Sequence, residues 1–168
     1  MAAAVVWLLA LVQQPARTPD IYFVGTRYAV ADQMLKLAAV GKNDVVYDLG
    51  SGDGRILILA AQKYGARGVG VEIEPALVAM SRQLANEGGV ADKITIVEGD
   101  LFTADISKAT VITLYLSTST NRDLEPKLRK ELRRGTRIVS HQFPIGAWEP
   151  DEKMRADDGT DLFLWIVR

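Results

Sequence analysis

Apolar residues along this chain alternate between short runs typical of buried strands and longer patterns with helical spacing. We predict strands at residues 45–49, 68–73, 94–98, 111–116 and 137–142. We predict helices at residues 55–64, 75–87 and 120–133, with a further helix around residues 30–38 before the first strand. Alternation of this kind predicts an α/β fold with a parallel, doubly wound sheet. Residues 153–156 and 162–167, joined by the turn Asp157-Asp158-Gly159, predict an antiparallel C-terminal hairpin, which brings the total to seven strands.

A glycine loop, DLGSGDG, joins the first predicted strand to its helix at residues 48–54. A dinucleotide-binding G-x-G-x-x-G pattern would require glycine at position 55, where this chain has Arg55. Asp48 and Asp53 flank the glycines, and two carboxylates would repel a pyrophosphate. S-adenosylmethionine has a sulfonium and an ammonium group and no phosphate, so it fits an acidic glycine loop better. The alternative is a tight turn that uses glycines for geometry alone.

The run from Asp48 to Gly54 resembles the first motif of the class I (seven-β-strand) SAM-dependent methyltransferases, which have a Rossmann-like sheet. About 20 residues further on, Glu72 ends the second strand, where the resemblance implies an acid that binds the ribose. Asp100, after the third strand, corresponds to the acid that contacts the adenine amino group. A solvated strand-end acid at Glu72 and a turn acid at Asp100 are the alternatives. The cofactor-binding residues implied are Asp48, Gly50, Ser51, Gly52, Asp53, Glu72, Asp100, Leu101 and Tyr115.

A narrower resemblance extends over about residues 22–167. Glu98-Gly-Asp-Leu-Phe, Gly135-Thr-Arg-Ile-Val-Ser140 and Trp148-Glu-Pro150 are similar to segments of the mitochondrial protein-lysine N-methyltransferases and their prokaryotic relatives. That family includes enzymes for the ATP synthase c subunit and the adenine nucleotide translocase. The resemblance implies a protein substrate with an accessible lysine, in some relatives a membrane protein. A small-molecule methyltransferase is the second interpretation, and a non-catalytic SAM-binding protein is the third.

Three residues are candidates for a catalytic wall around the lysine amine: Tyr115, His141 and Trp148. An amine must be neutral to attack a methyl group, and an apolar, aromatic pocket favours the neutral form by desolvation. Tyr115 and His141 come at the ends of the fourth and fifth predicted strands, on the edge where ligands bind. As alternatives, both aromatic residues belong to the core or the rim, and His141 is a hydrogen-bonded structural histidine.

Composition narrows the remaining choices. The formal net charge is −1, the pI is about 5.9, and no long basic stripe is present, so a nucleic-acid partner is not expected. The chain has no cysteine and one histidine, so we expect no metal site.

The N-terminal region reads differently from the rest of the chain. Residues 2–12, from Ala2 to Val12, form an uncharged apolar run that is too short to span a bilayer. We therefore divide the chain into an apolar segment with a polar linker at residues 1–20 and a methyltransferase domain at residues 21–168. We expect a cytoplasmic protein. Peripheral membrane contact through the apolar run, an export signal and no role at all stay open. Residues 22–26 are expected near the ligand site, with Thr26 as an ordinary helix cap as the alternative.

Overall fold

The computed structural model describes residues 24–168, so the apolar run and the predicted domain start at residue 21 lie outside the described residues. The helices are α1 (Tyr28–Leu37), α2 (Arg55–Tyr64), α3 (Pro75–Glu87) and α4 (Thr118–Glu131). The strands are β1 (Val45–Leu49), β2 (Arg67–Glu72), β3 (Ile94–Glu98), β4 (Val111–Leu114), β5 (Arg137–His141), β6 (Glu152–Arg155) and β7 (Asp161–Ile166). The predicted α/β class is confirmed.

The strands form one seven-stranded sheet in the order β3-β2-β1-β4-β5-β7-β6. The first five strands are parallel to one another, and β7 runs antiparallel to both β5 and β6, as predicted. The strand order reverses direction at β1, which lies between β2 and β4. In register, Asp48 of β1 is opposite both Gly70 of β2 and Thr113 of β4. Open α/β sheets bind ligands at such a switch point, outside the carboxyl ends of the strands.

Both faces of the sheet are covered, because successive residues of a strand point to opposite faces. Val46 of β1 packs into a core with α1 and α2, whereas its neighbour Tyr47 packs into a second core with α4. Leu124 and Leu128 of α4 are fully buried in that second core. The sheet is therefore held rigidly from both sides, and the strand ends that carry the site have fixed positions.

Several boundaries differ from the sequence prediction by one or two residues, and two of these differences change the ligand edge. β4 ends at Leu114, so Tyr115 leaves the sheet, and α4 begins at Thr118 rather than at residue 120. The helix starts early because Ser117 caps it: the Ser117 hydroxyl accepts a hydrogen bond from the Thr120 amide at 3.1 Å. Thr26 does not cap α1; the capping position belongs to Arg27. Within residues 24–168, no helix has both the length and the apolar character needed to cross a membrane.

Candidate active site

A cavity of about 830 Å³ lies at the carboxyl ends of the parallel strands, a volume typical of a cofactor site. Its wall contains most of the residues that the sequence predicts for the cofactor. Those in the wall are Asp48, Gly50, Ser51, Asp53, Glu72, Asp100, Leu101 and Tyr115. Gly52 is buried beside the cavity and takes part through its backbone amide.

The loop after β1 follows a path that only glycine adopts without strain. Gly50, Gly52 and Gly54 have φ angles of 78°, 55° and 76°, all in the left-handed region. The loop turns back over β2, because the amides of Gly50 and Ser51 both donate to the Val71 carbonyl, at 2.8 and 3.1 Å. A Cβ atom built on Gly50 would come within 2.8 Å of the Leu116 side chain. The glycines therefore set the backbone path at the cavity wall.

Glu72 connects the glycine loop to the end of β2. One oxygen of its buried carboxylate accepts the Gly52 amide at 2.8 Å, and the other accepts the amides of Ile73 and Glu74 at 2.9 and 3.0 Å. An ionised carboxylate can accept about four hydrogen bonds. Three are occupied by these amides, and the Gly52-bonded oxygen has capacity for one more donor. Glu72 is thus suited to accept a ribose hydroxyl while it holds the loop in shape.

Asp48 is the most deeply buried acid in the cavity wall. Burial raises the pKa of its carboxyl to about 7, and the nearby negative charges of Glu72 and Asp53 add to the rise. The Thr113 hydroxyl opposes this shift by donating a hydrogen bond to Asp48 at 2.6 Å. A group in this state changes charge near neutral pH. A cation bound beside it would favour the ionised form.

Arg55, which replaces the third glycine of the dinucleotide pattern, ties the loop to the segment before α1. Its guanidinium binds the Asp53 carboxylate, with a closest distance of 2.6 Å, and donates to the Thr26 carbonyl at 3.1 Å. It also lies 5.6 Å from the centre of the Tyr28 ring. A Cβ atom at Gly25 would lie 2.4 Å from the guanidinium carbon, so glycine makes this approach possible. The Asp53 carboxylate, predicted for the cofactor, is therefore already paired.

The same contact explains why residues 24–26 line the cavity. The prediction that the segment before the first helix lies near the ligand is confirmed for Val24, Gly25 and Thr26. The sequence did not identify Arg55 as a contributor. The available signal was an arginine that directly follows the last glycine of the loop and lies two positions beyond an aspartate.

Asp100 has the position expected of an adenine contact and the hydrogen bond expected of a turn acid. It lines the cavity next to Leu101 and Phe102. One of its carboxylate oxygens also accepts the Phe102 amide at 2.9 Å, as a turn acid does. This hydrogen bond fixes the carboxylate at the end of β3, two strands from the glycine loop. The acid therefore has a fixed position in the cavity wall.

The three catalytic candidates separate in the structure. Tyr115 lines the cavity, and its ring lies over His141 with 4.1 Å between the ring centres. His141 is buried behind Tyr115 and does not line the cavity. Its Nε2 atom hydrogen-bonds the Thr160 hydroxyl at 2.9 Å, and burial lowers the pKa of the imidazole. His141 supports Tyr115, and the interpretation as a hydrogen-bonded structural histidine describes its position.

Trp148, the third residue predicted for the catalytic wall, does not line the cavity. Its ring packs 6.3 Å from that of Trp165, and the Arg129 guanidinium lies over it at 3.8 Å. The Trp165 indole donates to the Trp148 carbonyl at 2.8 Å. The reason is topological: after β5 the chain turns away along the outer side of α4 before it enters β6. The cavity wall instead contains Ser117, Thr120, Gln142 and Phe143, which the sequence did not identify.

These features agree with S-adenosylmethionine as the cofactor. The acids can pair with its cationic groups, Glu72 can accept a ribose hydroxyl, and Asp100 and Leu101 lie where the adenine contacts are expected. A crystal structure titled as an RNA methyltransferase from Salinibacter ruber in complex with S-adenosyl-L-homocysteine is 52% identical, with a TM-score of 0.84, over 86% of this chain and 94% of that one. The fold and site define a SAM-dependent methyltransferase.

Sequence comparison narrows the class. Residues 48–152 match the family model described as the ANTKMT methyltransferase domain. A protein-lysine N-methyltransferase of Saccharolobus islandicus is 42% identical over 89% of this chain and 95% of its own length. The mouse adenine nucleotide translocase lysine N-methyltransferase is 33% identical over 89% of this chain and 66% of its own length. The chain belongs to the ANTKMT methyltransferase family, as its sequence motifs indicated.

Proposed function

We propose that this enzyme methylates the side-chain amine of lysine in a protein. The observation that carries the proposal is the distribution of charge in the cleft. The described lining contains five carboxylates, those of Asp48, Asp53, Glu72, Glu74 and Asp100. Its one basic side chain, Arg55, is already bound to Asp53. Such a cleft attracts a cationic acceptor and repels a polyanion.

The acceptor side of the cleft supports the same proposal. The loops after β4 and β5 and the first turn of α4 contribute residues that are neither acidic nor basic: Tyr115, Ser117, Thr120, Gln142 and Phe143. A lysine amine that enters this region loses water without gaining a carboxylate partner, which lowers its pKa and favours the nucleophilic form. The acids on the other side of the cleft attract the amine without fixing it as an ammonium ion.

When bound, S-adenosylmethionine supplies a methyl group on a positively charged sulfur. In the transfer, the lysine nitrogen would form the new N–C bond with its lone pair, the electrons of the S–C bond would stay on sulfur, and the methylated ammonium would release one proton to solvent. The chain contributes by orienting the two reactants in line and excluding water. Tyr115, held from behind by His141, forms the rigid boundary between the cofactor side and the acceptor side.

The names of the relatives suggest two different methyl acceptors, protein lysine and RNA. Two relatives reported above are named as lysine N-methyltransferases, whereas the Salinibacter structure is titled an RNA methyltransferase. RNA binding requires positive side chains that contact phosphates. Lys130, Arg133 and Arg134 are exposed, but they lie where α4 ends and β5 begins, at the opposite end of the sheet from the cleft. The charge of the cleft therefore favours lysine over RNA.

The direct test is to incubate the enzyme with tritiated S-adenosylmethionine and with separate membrane, soluble and RNA fractions. We expect label that resists ribonuclease, is removed by protease, and is recovered as methyl-lysine after acid hydrolysis. Gly52→Val, which is expected to abolish cofactor binding, serves as the negative control. Label in nucleotides would contradict the proposal and support the RNA alternative. Label in a compound small enough to pass a dialysis membrane would support a small-molecule acceptor.

Membrane contact is a second part of the proposal. The apolar run at residues 2–12 precedes the cleft by a short linker. Val24 and Tyr28 follow that linker and are exposed apolar side chains, with 64% and 60% of their surface accessible. Val24 also lines the cleft. An interfacial segment followed by an apolar rim would hold the cleft close to lysines at a membrane surface.

Deletion of residues 1–16 tests membrane contact. We expect unchanged affinity for S-adenosylhomocysteine, loss of co-sedimentation with vesicles, and reduced labelling of membrane-bound acceptor. A matched variant, Val24→Ser with Tyr28→Ser, should weaken vesicle binding less than the deletion. A truncated enzyme that still sediments with vesicles and labels the same protein at the same rate would contradict the proposal.

A further inference from the structure

The loop after β5 contains an unusual backbone conformation at the cleft. Among the described residues, Gln142 and Ala39 are the non-glycine residues with positive φ, at 68° and 48°. Ala39 follows the end of α1, far from the cleft, where left-handed residues are common. Gln142 directly follows β5 and lines the cleft. Strained backbone at a cleft persists only where the surrounding structure holds it, and it often serves function.

Four hydrogen bonds, two of them from buried side chains, hold this loop in place. The Gln142 amide donates to the Asp161 carbonyl at 2.7 Å, and the Phe143 amide donates to the His141 carbonyl at 2.8 Å. The Phe143 carbonyl accepts from the Ser140 hydroxyl at 2.6 Å and from the Asn121 side-chain amide at 3.0 Å. Ser140 and Asn121 are fully buried. The backbone of Gln142 and Phe143 is therefore fixed from three elements: α4, β5 and β7.

The strained conformation changes where the side chains point. In a strand, consecutive side chains point to opposite faces, so only every second residue could reach the cleft. His141 is buried behind Tyr115, yet Gln142 and Phe143, which follow it, both line the cleft. The left-handed residue breaks the alternation and brings two adjacent residues to the acceptor side.

We propose that Gln142 and Phe143 form the subsite that binds the aminoalkyl chain of the acceptor, an inference that rests on the proposed lysine methylation. The Phe143 ring provides an apolar surface for the methylene groups and a π face for the approaching cation. The Gln142 side-chain carbonyl accepts a hydrogen bond from the amine. Because this acceptor is neutral, it orients the nitrogen without stabilising the ammonium form as a carboxylate would. Asn121 is a positioning residue that acts through the Phe143 backbone.

Replacement of Gln142 by glycine removes the side chain and still permits the backbone conformation. Glycine adopts a φ of 68° freely, so Gln142→Gly should leave the thermal stability equal or higher. The side-chain hydrogen bond is lost, and kcat/KM for the labelled protein should fall by about two- to ten-fold. Ala39→Gly is the matched control, since it relieves the same kind of strain away from the cleft and should leave kcat/KM unchanged. A Gln142→Gly enzyme with full kcat/KM would overturn the role of Gln142.

Phe143 is tested by binding as well as by turnover. The probe is an S-adenosylhomocysteine analogue in which nitrogen replaces sulfur and carries an aminoalkyl chain as long as a lysine side chain. Phe143→Ala should reduce the affinity for this probe and kcat/KM by about ten-fold, since an aromatic contact and a cation–π interaction are lost. Phe143→Leu should lose less probe affinity and less kcat/KM than Phe143→Ala. Affinity for S-adenosylhomocysteine itself should not change in either variant.

The outcomes distinguish failure of the proposed lysine methylation from failure of the proposed subsite. If the wild-type enzyme labels no lysine and gains no affinity from the aminoalkyl chain, lysine methylation and the subsite both fail. If the wild-type enzyme labels lysine but the Phe143 variants bind and methylate as it does, the subsite alone is overturned. Selective loss of affinity for the probe, with S-adenosylhomocysteine binding intact, supports the subsite.

Discussion

The two sides of the cleft are fixed in different ways. On the side formed by β1, β2 and β3, carboxylates are held by backbone amides, and Glu72 alone accepts three of them. On the side formed by β4 and β5, the lining is uncharged, and hydrogen bonds hold the backbone of Gln142 and Phe143 rather than their side chains. The cofactor side therefore tolerates little substitution, whereas the acceptor side can exchange side chains on an unchanged frame.

This difference matches the two tasks of a transferase. The cofactor is the same molecule in every SAM-dependent enzyme, so its contacts can be built into loop geometry. The acceptor differs between enzymes, and its contacts come from side chains carried by the loops that follow the strands. If this division is correct, variants of the two sides should fail in different assays.

The largest effect is expected at the glycine loop. Gly52→Val places a β-branched residue at a φ of 55°, where left-handed backbone costs an L residue about 1–2 kcal/mol, and it displaces the amide that binds Glu72. Calorimetry should detect no binding of S-adenosylhomocysteine, and the melting temperature should fall. Gly41→Val is the control, because a Cβ at Gly41 meets no atom within 4 Å. A Gly52→Val protein with wild-type affinity would refute the role of the loop.

Glu72→Ala should have the next largest effect. Its removal leaves three backbone amides without their acceptor and takes away the expected ribose contact, so affinity for S-adenosylhomocysteine should fall by about 1–3 kcal/mol. Glu98 of β3 lies opposite Glu72 in the register of the sheet, but it is exposed. Glu98→Ala is therefore the matched control and should leave affinity unchanged. Equal losses in the two variants would mean that general negative charge, rather than the Glu72 hydrogen bonds, supports the cofactor.

Asp48 should make cofactor affinity depend on pH. Its pKa of about 7 in the empty site means that ionised carboxyl is scarce at pH 6 and dominant at pH 8. Because the ionised form pairs with a cation, the affinity for S-adenosylmethionine should rise about ten-fold between pH 6 and pH 8. Asp48→Asn should remove this dependence. A wild-type affinity that does not change across this range would contradict the assignment.

The same group predicts how stability depends on pH. In the unfolded chain the Asp48 carboxyl loses its proton near pH 3.8, and in the folded protein near pH 7. Between these values the folded state binds more protons, so the contribution of Asp48 to the free energy of unfolding falls as pH rises and is lowest above pH 7. Denaturation of Asp48→Asn should therefore show a stability relative to wild type that increases from pH 4 to pH 8.

The cofactor side could be predicted from the sequence almost completely. Backbone positions with positive φ can be recognised in the sequence as glycines, since few other residues fit there. The acids at the ends of β2 and β3 can be recognised because the apolar strands before them are clear. Seven strands and the antiparallel hairpin followed from the alternation of apolar runs. The pairing of Asp53 with Arg55 did not follow, because a guanidinium two residues away can turn either to its neighbour or to solvent.

The acceptor side could not be predicted to the same depth. Tyr115 was correctly expected at the cleft because it follows β4. His141 was expected beside it for the same reason, but strand alternation buries His141, and the unpredicted left-handed φ of Gln142 brings the next two residues forward. A positive φ at glutamine has no sequence signal of its own. The conformation is held by the Asp161 carbonyl, which accepts the Gln142 amide, and by the Asn121 side chain, which donates to the Phe143 carbonyl; both residues are distant along the chain.

Substitution of Trp148 is expected to have the smallest effect on catalysis. It also tests where the acceptor side of the cleft ends. Its ring contacts Trp165 and Arg129 on the outer side of α4, so Trp148→Leu should lower the free energy of unfolding by about 1–3 kcal/mol. Denaturant titration measures this loss. Because the residue does not line the cleft, kcat/KM and cofactor affinity should stay within about two-fold of wild type at a temperature where both proteins are folded. Tyr115→Leu, which changes an aromatic residue that does line the cleft, should show the reverse pattern. If Trp148→Leu instead lost activity at full stability, Trp148 would be part of the catalytic wall, and the acceptor side would extend beyond the loop after β5.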